Sequence, residues 1–301
     1  MKKSNNKILV TGGSGLLGKA LQKEFPEAIY ISSKDFDLTD QNDVEKMFIT
    51  HKPNMIIHLA AVVGGLTDNI NHPVSHLDNN LLINTLTLKY AYKYKVERFL
   101  TILSYVMYPD NSSNKPYQEN EIHNGAPNET TFSYAMVKRI MALQIENYNK
   151  EYNTKYNYII PCNLYGNNDK EDKIIPTILN KIRNAKEMNL KHIELFGDGT
   201  PIRQFIHSKD MAKIIKKIID NNITDSFNVA PDEVITIHEL TNTILEILNY
   251  KDINIIYDKT KPNSQSKRQL NTSKFKQIIP NYKFINLYDG LTECCKTNTE
   301  K

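Results

Sequence analysis

The 301-residue chain carries a formal net charge of +4, from 38 Lys and Arg against 34 Asp and Glu. Its length supports one large or two unequal domains, its charges are dispersed rather than gathered into a nucleic-acid tract, and no apolar run is long enough to span a membrane. Three cysteines, Cys162 and the adjacent Cys294 and Cys295, give no disulfide framework or metal-ligand spacing, and Met1 to Asn6 show no apolar leader, so a cytoplasmic location is expected.

In chain order, Lys7 to Val10 reads as a buried strand. It runs into Thr11-Gly12-Gly13-Ser14-Gly15-Leu16-Leu17-Gly18, where a helical pattern begins. The glycine spacing suits a dinucleotide loop: Gly12 for a tight turn, Gly15 for close approach to a pyrophosphate, Gly18 for helix packed on strand. The pyrophosphate would rest on the amides around Leu16 and Leu17 at the helix start. Ala28 to Ile31 is a second strand. An acidic residue at its end would suit a free ribose 2′-hydroxyl; Ser32, Ser33 and Lys34 stand there instead and suit a 2′-phosphate, so NADP(H) is expected. Asp37 and Leu38 follow, within reach of an adenine edge.

Met55 to Ala61 is a third strand whose exit, Leu59-Ala60-Ala61, is small enough for a cofactor to lie against the sheet. His58 reads as a packed core histidine. A long helix is expected over about residues 75–95, with Asn79 or Asn80 bonding main chain near the site. Arg98 to Leu103 is a further strand, ending at Ser104. The tract 111–114 is the most loop-like. Next comes Phe132-Ser133-Tyr134-Ala135-Met136-Val137-Lys138. A Tyr and a Lys four apart share a helix face, and an ammonium beside a phenol lowers the phenol's pKa, making Tyr134 a candidate proton donor or acceptor. The alternation of strand and helix to about residue 160 implies a parallel, doubly wound α/β sheet. Beyond Gly166, helices near 172–187, 208–220 and 237–248 alternate with short strands at 192–195 and 253–256. The expected division is residues 1–166 as the dinucleotide domain and 167–301 as mainly a smaller α/β lobe, some of whose elements return to the main sheet.

These stretches together are similar to the extended short-chain dehydrogenase/reductase family, and within it to the GDP-L-fucose synthase family. The likeness rests on residues 11–18, 32–35 with 37–40, 58–65 and 134–138, on Pro161-Cys162-Asn163-Leu164-Tyr165-Gly166, and on residues 196–205. It implies NADPH reducing C4 of a GDP-linked 4-keto-6-deoxy sugar, hexose or heptose. Tyr134 would be the proton donor, Ser104 a hydrogen-bond partner of the same oxygen, and Lys138 a holder of the nicotinamide ribose. Pro161 would fall on the cofactor side. Arg203, Lys181 and Arg268 would meet the substrate diphosphate, Asn163 the diphosphate or sugar, and Phe196 would cover the substrate. The likeness also implies a homodimer through the helices around 75–95 and 132–150.

The same resemblance exposes two departures. Epimerising members carry a Cys two residues after the Ser and a His before an apolar-Pro stretch; here these are Val106 and Lys173. Valine cannot carry a proton, and a lysine at its ordinary pKa is almost wholly protonated at neutral pH. The expected activity is therefore C4 reduction without C3/C5 epimerisation, after a separate epimerase where inversion is needed. The alternatives are a bifunctional 3,5-epimerase/4-reductase, with Tyr105 or Tyr108 in place of the cysteine, and a nucleotide-sugar 4-epimerase. Dehydratases of this type place an acidic pair after the catalytic Ser or Thr, whereas Tyr105-Val106 follow Ser104.

Overall fold

The structure is a computed structural model that describes residues 7–110, 116–167, 169–250, 252–261 and 266–297. The 111–114 tract lies outside the described residues. The elements run in order β1 (Ile8–Thr11), α1 (Leu16–Glu24), β2 (Ile29–Ile31), α2 (Gln41–His51), β3 (Met55–His58), α3 (Leu66–Asn71), α4 (Pro73–Lys93) and β4 (Arg98–Ile102). They continue with α5 (Phe132–Tyr152), β5 (Lys155–Pro161), β6 (Asn163–Tyr165), α6 (Ile174–Glu187), β7 (His192–Phe196), β8 (Ile202–Arg203), β9 (Phe205–His207) and α7 (Ser208–Asp220). The last are β10 (Phe227–Val229), β11 (Ile235–Thr236), α8 (Ile237–Ile247), β12 (Asn254–Asp258), α9 (Ser273–Ile278) and α10 (Leu287–Thr297).

Six strands form one parallel sheet in the order β2-β1-β3-β4-β5-β10. All four residues of β3 are buried, as expected of a strand covered on both faces. After β2 the chain crosses back over β1 to lay down β3. That reversal opens a crevice at the carboxyl ends of β1 and β3, where such sheets bind ligands. The doubly wound architecture expected from the strand–helix alternation is the one observed.

Two apolar cores fill the chain. The larger surrounds the six-stranded sheet and includes Leu9, Ile57, Leu100 and Cys162. The second gathers Ile178, Leu179 and Ile182 of α6 with Leu195, Leu240, Ile244, Leu291, Cys294 and Cys295. Burial pushes the Cys294 thiol up to about 12 and Cys295 to about 11, and raises Cys162 as well. Residues 205–230 belong mostly to the first core, because α7 packs on α1 and β10 pairs with β5. The pairs β7/β12, β6/β9 and β8/β11 lie outside the main sheet.

Candidate active site

The glycine loop follows β1. Gly12 has φ +70°, and a Cβ there would stand 2.8 Å from Ala60 N, so left-handed geometry and the neighbouring strand exit both demand glycine. A Cβ on Gly18 would meet Gly12 O at 2.5 Å, so that glycine lets α1 press against the loop. Gly15 is different: the nearest atom to its Cβ position is Gly12 O at 3.2 Å, and that side is otherwise open. Gly15 is also the N-cap of α1, with no side-chain cap and no acidic residue in the first turn. The amides of Leu16 and Leu17 therefore point out of the helix without intrahelical partners, an anion cradle that fits a dinucleotide pyrophosphate.

Thr11 and His58 fix the other wall. The Thr11 hydroxyl accepts from the amides of Leu59 and Ala60, each at 3.2 Å, so its proton goes to His58 Nδ1 at 2.9 Å. His58 Nε2–H then donates to Asn84 Oδ1 at 3.1 Å. Burial pushes His58 down to about 4, and it stays neutral as a core strut. One turn away on α4, Asn80 accepts from Val62 N at 2.8 Å and donates to Val62 O at 2.9 Å. Asn80, not Asn79, pins the exit of β3; Asn79 donates to Ser75 instead.

At the end of β2 the side chains divide. Ser32 donates its hydroxyl to Asp35 at 2.8 Å and accepts from Lys34 N, so it closes a turn, while Ser33 and Lys34 stand exposed. Asp37 accepts from Thr39 through its backbone and hydroxyl, and Leu38 is buried. Pro161 is buried at the end of β5, paired with Val229.

Ser104 follows β4 and caps a short 3-10 turn, Tyr105–Met107. Helix α5 holds that segment on both sides of the serine. Lys138 Nζ donates to Ile102 O at 3.0 Å, while Arg139 Nε donates to Met107 O at 2.6 Å and Nη1 to Gly125 O at 2.7 Å. Tyr134 lies one turn before Lys138, whose Nζ is 5.5 Å from the phenol ring centroid. The structure thus ties Lys138 to the segment that carries Ser104, with Tyr134 one turn earlier on the same helix.

The protonation of Tyr134 corrects the sequence expectation. The side chain keeps an opening to solvent, yet the dense protein around the phenol raises its pKa, and the lysine does not offset this. Burial of Lys138 pulls it down to about 8. Desolvation therefore outweighs the ammonium, and Tyr134 is poised as a proton-bearing acid.

The epimerase positions are occupied differently. Val106 sits within the 3-10 turn, its amide toward Ser104 Oγ at 3.5 Å. Lys173 donates to Gly64 O at 2.7 Å, and burial lowers its pKa against the pull of Asp172 and Asp169. An ordinary lysine pKa therefore does not describe it. Tyr105 donates to Asn163 Oδ1 at 2.7 Å and Tyr108 to Asn228 Oδ1 at 2.7 Å, and burial pushes Tyr108 far up, so both hydroxyls serve internal bonds.

The residues expected on the substrate fall into two groups. Asn163, which also donates to Gln204 O at 3.0 Å, meets Tyr105; the Arg268 guanidinium lies 5.4 Å from the Tyr105 ring centroid. Arg203 is buried close enough to feel the Arg268 charge, and desolvation draws it down to about 10. Separately, Lys181 donates to Glu194 O at 2.6 Å and covers the ring of Phe196, which is 47% exposed. Neither Lys181 nor Phe196 has a described contact with the arginine group.

Sequence reasoning missed Asp68 and His76. His76 is 1% exposed and meets the Tyr134 ring edge-on, with centroids 6.3 Å apart and planes at 85°. Asp68 accepts from His76 Nε2 and His72 Nδ1, both at 2.8 Å, and these bonds hold its carboxyl below the usual range. The spacing Asp68, His72, His76, four residues apart each time, was the available signal. Among the described residues no group of His, Cys, Asp or Glu could hold a metal ion, and no helix is long and apolar enough to cross a membrane.

Residues 8–230 match the profile of the NAD dependent epimerase/dehydratase family. The chain belongs to this family. A probable GDP-L-fucose synthase of Drosophila melanogaster is 32% identical over 310 residues, covering 96% of each chain. A GDP-L-colitose synthase of Yersinia pseudotuberculosis is 33% identical over 302 residues, covering 96% of this chain and 97% of that one. A solved GDP-L-fucose synthetase from Naegleria fowleri bound to NADP superposes with a TM-score of 0.86 at 25% identity, covering 98% of this chain and 94% of that one. As an epimerase/dehydratase family enzyme, the chain has its glycine loop and both ends of the Tyr134–Lys138 pair inside the matched span.

Proposed function

We propose that this enzyme is an NADPH-dependent C4-ketoreductase of a GDP-linked 4-keto-6-deoxy sugar, hexose or heptose, without C3/C5 epimerase activity. The reductase half draws on relatives named GDP-L-fucose synthase and GDP-L-colitose synthase, and the NADP choice on the NADP-bound relative and on exposed Ser33 and Lys34. The single observation that carries the epimerase-free half is Val106, an apolar side chain in the turn that carries Ser104.

The glycine loop and the first amides of α1 would hold the pyrophosphate, with Gly12, Gly15, Leu16 and Leu17 in contact. Leu59, Ala60, Ala61 and Pro161 would line the crevice, and Asp37 and Leu38 the adenine end. The bound cofactor supplies hydride to C4 of the sugar. Ser104 hydrogen-bonds the carbonyl oxygen and places it. Tyr134, kept protonated by burial, donates its proton to the developing alkoxide. Lys138 holds the nicotinamide ribose beside the phenol. Arg203 and Arg268 bind the diphosphate, arginine being suited to bidentate contact. Asn163 orients the sugar end, and Lys181 with Phe196 covers the nucleotide. A homodimer through α4 and α5, and a separate C3/C5 epimerase acting first, complete the reading.

Lys173 is the observation that favours the bifunctional alternative, since burial makes its neutral form more accessible than in water. Incubation with a 4-keto-6-deoxy GDP-sugar in deuterated water, without NADPH, separates the two. The expected result is no deuterium at C3 or C5, followed by C4 reduction when NADPH is added. Enzyme-dependent deuterium at either carbon restores the bifunctional reading, and NADPH left unoxidised across a panel of such sugars defeats the reductase itself.

A further inference from the structure

The loop 63–65 is held from two sides. From the second lobe, Lys170 Nζ donates to Val63 O at 2.8 Å, Lys173 Nζ donates to Gly64 O at 2.7 Å, and Gly65 N donates to the Asp172 carboxylate. Three consecutive residues of the loop are thus bound by one short turn. From the first lobe, Asn69 Nδ2 donates to Gly64 O at 3.1 Å and Gly65 O at 2.8 Å. The Asp68 side chain lies so close to Gly64 that a Cβ there would force it to move. Its carboxylate receives His76 Nε2–H, and His76 rests edge-on against the ring of Tyr134.

His76 is a costly way to fill a core position. Its ring is almost wholly buried, and its Nδ1 has no hydrogen-bond partner among the described residues. An apolar side chain would fill the space without stranding a polar atom, so a buried, half-satisfied imidazole against a reacting side chain calls for a reason. Orientation supplies one. The Asp68 carboxylate fixes the imidazole plane, and the imidazole edge restricts the phenol, as the partner of a ligating or catalytic ring commonly does.

We infer that Lys173, Asp68 and His76 form a positioning chain that runs from the second lobe through Gly64 to Tyr134 and sets the attitude of its phenol. The inference rests on the proposed role of Tyr134 as proton donor. It gives the lysine at the epimerase position a different use: anchoring the loop that steadies the reducing site. Binding in the cleft between the lobes would then tighten the proton donor through this strap, a route by which remote binding energy improves the chemical step.

The test labels the protein with 3-fluorotyrosine and assigns position 134 by its loss in Tyr134→Phe. Asp68→Asn keeps the side-chain shape and removes the charge. Lys173→Ala removes the anchor, and Lys173→Gln returns an N–H donor. The Tyr134 fluorine resonance is expected to move in Asp68→Asn and Lys173→Ala and to return toward wild type in Lys173→Gln. The kcat for ketone reduction is expected to fall about 10-fold in the first two, with the sugar KM unchanged, in keeping with the steep cost of small misplacements. A resonance that stays in place in either variant, or an unchanged kcat beside an active wild type, overturns the inference. The fluorine readout needs no substrate. Failure of every sugar in the panel would therefore sink the reductase reading alone, and a still resonance would sink this one alone.

Discussion

At the residue scale, the site is decided by desolvation more than by neighbouring charge. Tyr134 and Lys138 are four apart on α5, yet burial raises the phenol and draws the ammonium down to about 8. A raised phenol remains protonated across the neutral range, which suits a group that must give up a proton to an alkoxide. Tyr134→Phe should lower the reduction rate by about 100-fold or more, the scale of a lost general acid, while NADPH binding measured by fluorescence stays close to wild type. The sign of the lysine effect follows from its charge. With burial drawing it to about 8, Lys138 in its proposed place on the ribose would be cationic below that pH and neutral above it. NADPH affinity should therefore weaken as pH rises through about 8, and Lys138→Met should flatten that limb of the profile. The pairing of these residues was legible in the sequence because helical spacing alone sets it. The direction of the phenol's shift was not, because burial depends on the 3-10 turn, on α4 and on the strand beneath, none of which is local to residue 134.

At the element scale, each wall of the crevice is a strand end tied to a helix. Helix α5 grips the Ser104 turn with Lys138 and Arg139, and α4 grips the exit of β3 with Asn80. Asn80 is 1% exposed and satisfies both the N–H and the C=O of Val62. Asn80→Leu would strip both partly buried backbone groups of these bonds. It should cost about 2 kcal/mol in urea unfolding and weaken NADPH binding, since of Thr11 and Asn80 only Thr11 then holds the exit of β3. The glycine loop could be read directly, because a strand, three spaced glycines and a helix are contiguous and each glycine has a steric reason to be there. The long helix was readable too, but its true start was not. Pro73 opens α4 as an N-terminal proline does, and the short α3 precedes it, entered from a loop, 63–65, that is bound by residues 170–173 a hundred positions further on. Asp68 and His76 escaped attention for the same reason: what makes them notable is Tyr134, 66 and 58 residues away.

At the scale of the whole molecule, the paired strands β6 and β9 join the two cores: Leu164 and Ile206 pack on the first, Tyr165 and Phe205 in the second. Strands β7 and β12 were legible as short strands at 192–195 and 253–256, but their pairing, like that of β6 with β9, joins segments distant in sequence and no hydrophobic period announces it. The outward faces of α4 and α5 carry Leu82, Leu143 and Phe132, each close to half exposed, beside Tyr92 stacked on Tyr152 at 4.3 Å. Such a face on two packed helices is suited to a second copy of the chain. Sedimentation should give about twice the 34.7 kDa of one chain, and Leu143→Glu should shift the mass toward the monomer. A monomeric wild type at micromolar concentration would defeat that expectation.

The placement of the cysteines has a practical consequence. Cys162 lies in the core around the large sheet, and Cys294 with Cys295 in the second core; all three are buried thiols held protonated. A folded molecule should resist alkylating reagents, because the thiolate is the nucleophile and none is exposed. Each thiol becomes reactive only when its own core opens. Pulsed alkylation followed by peptide mass analysis would thus clock the two cores separately within one chain. It would report whether they open together or in turn, with no engineered probe.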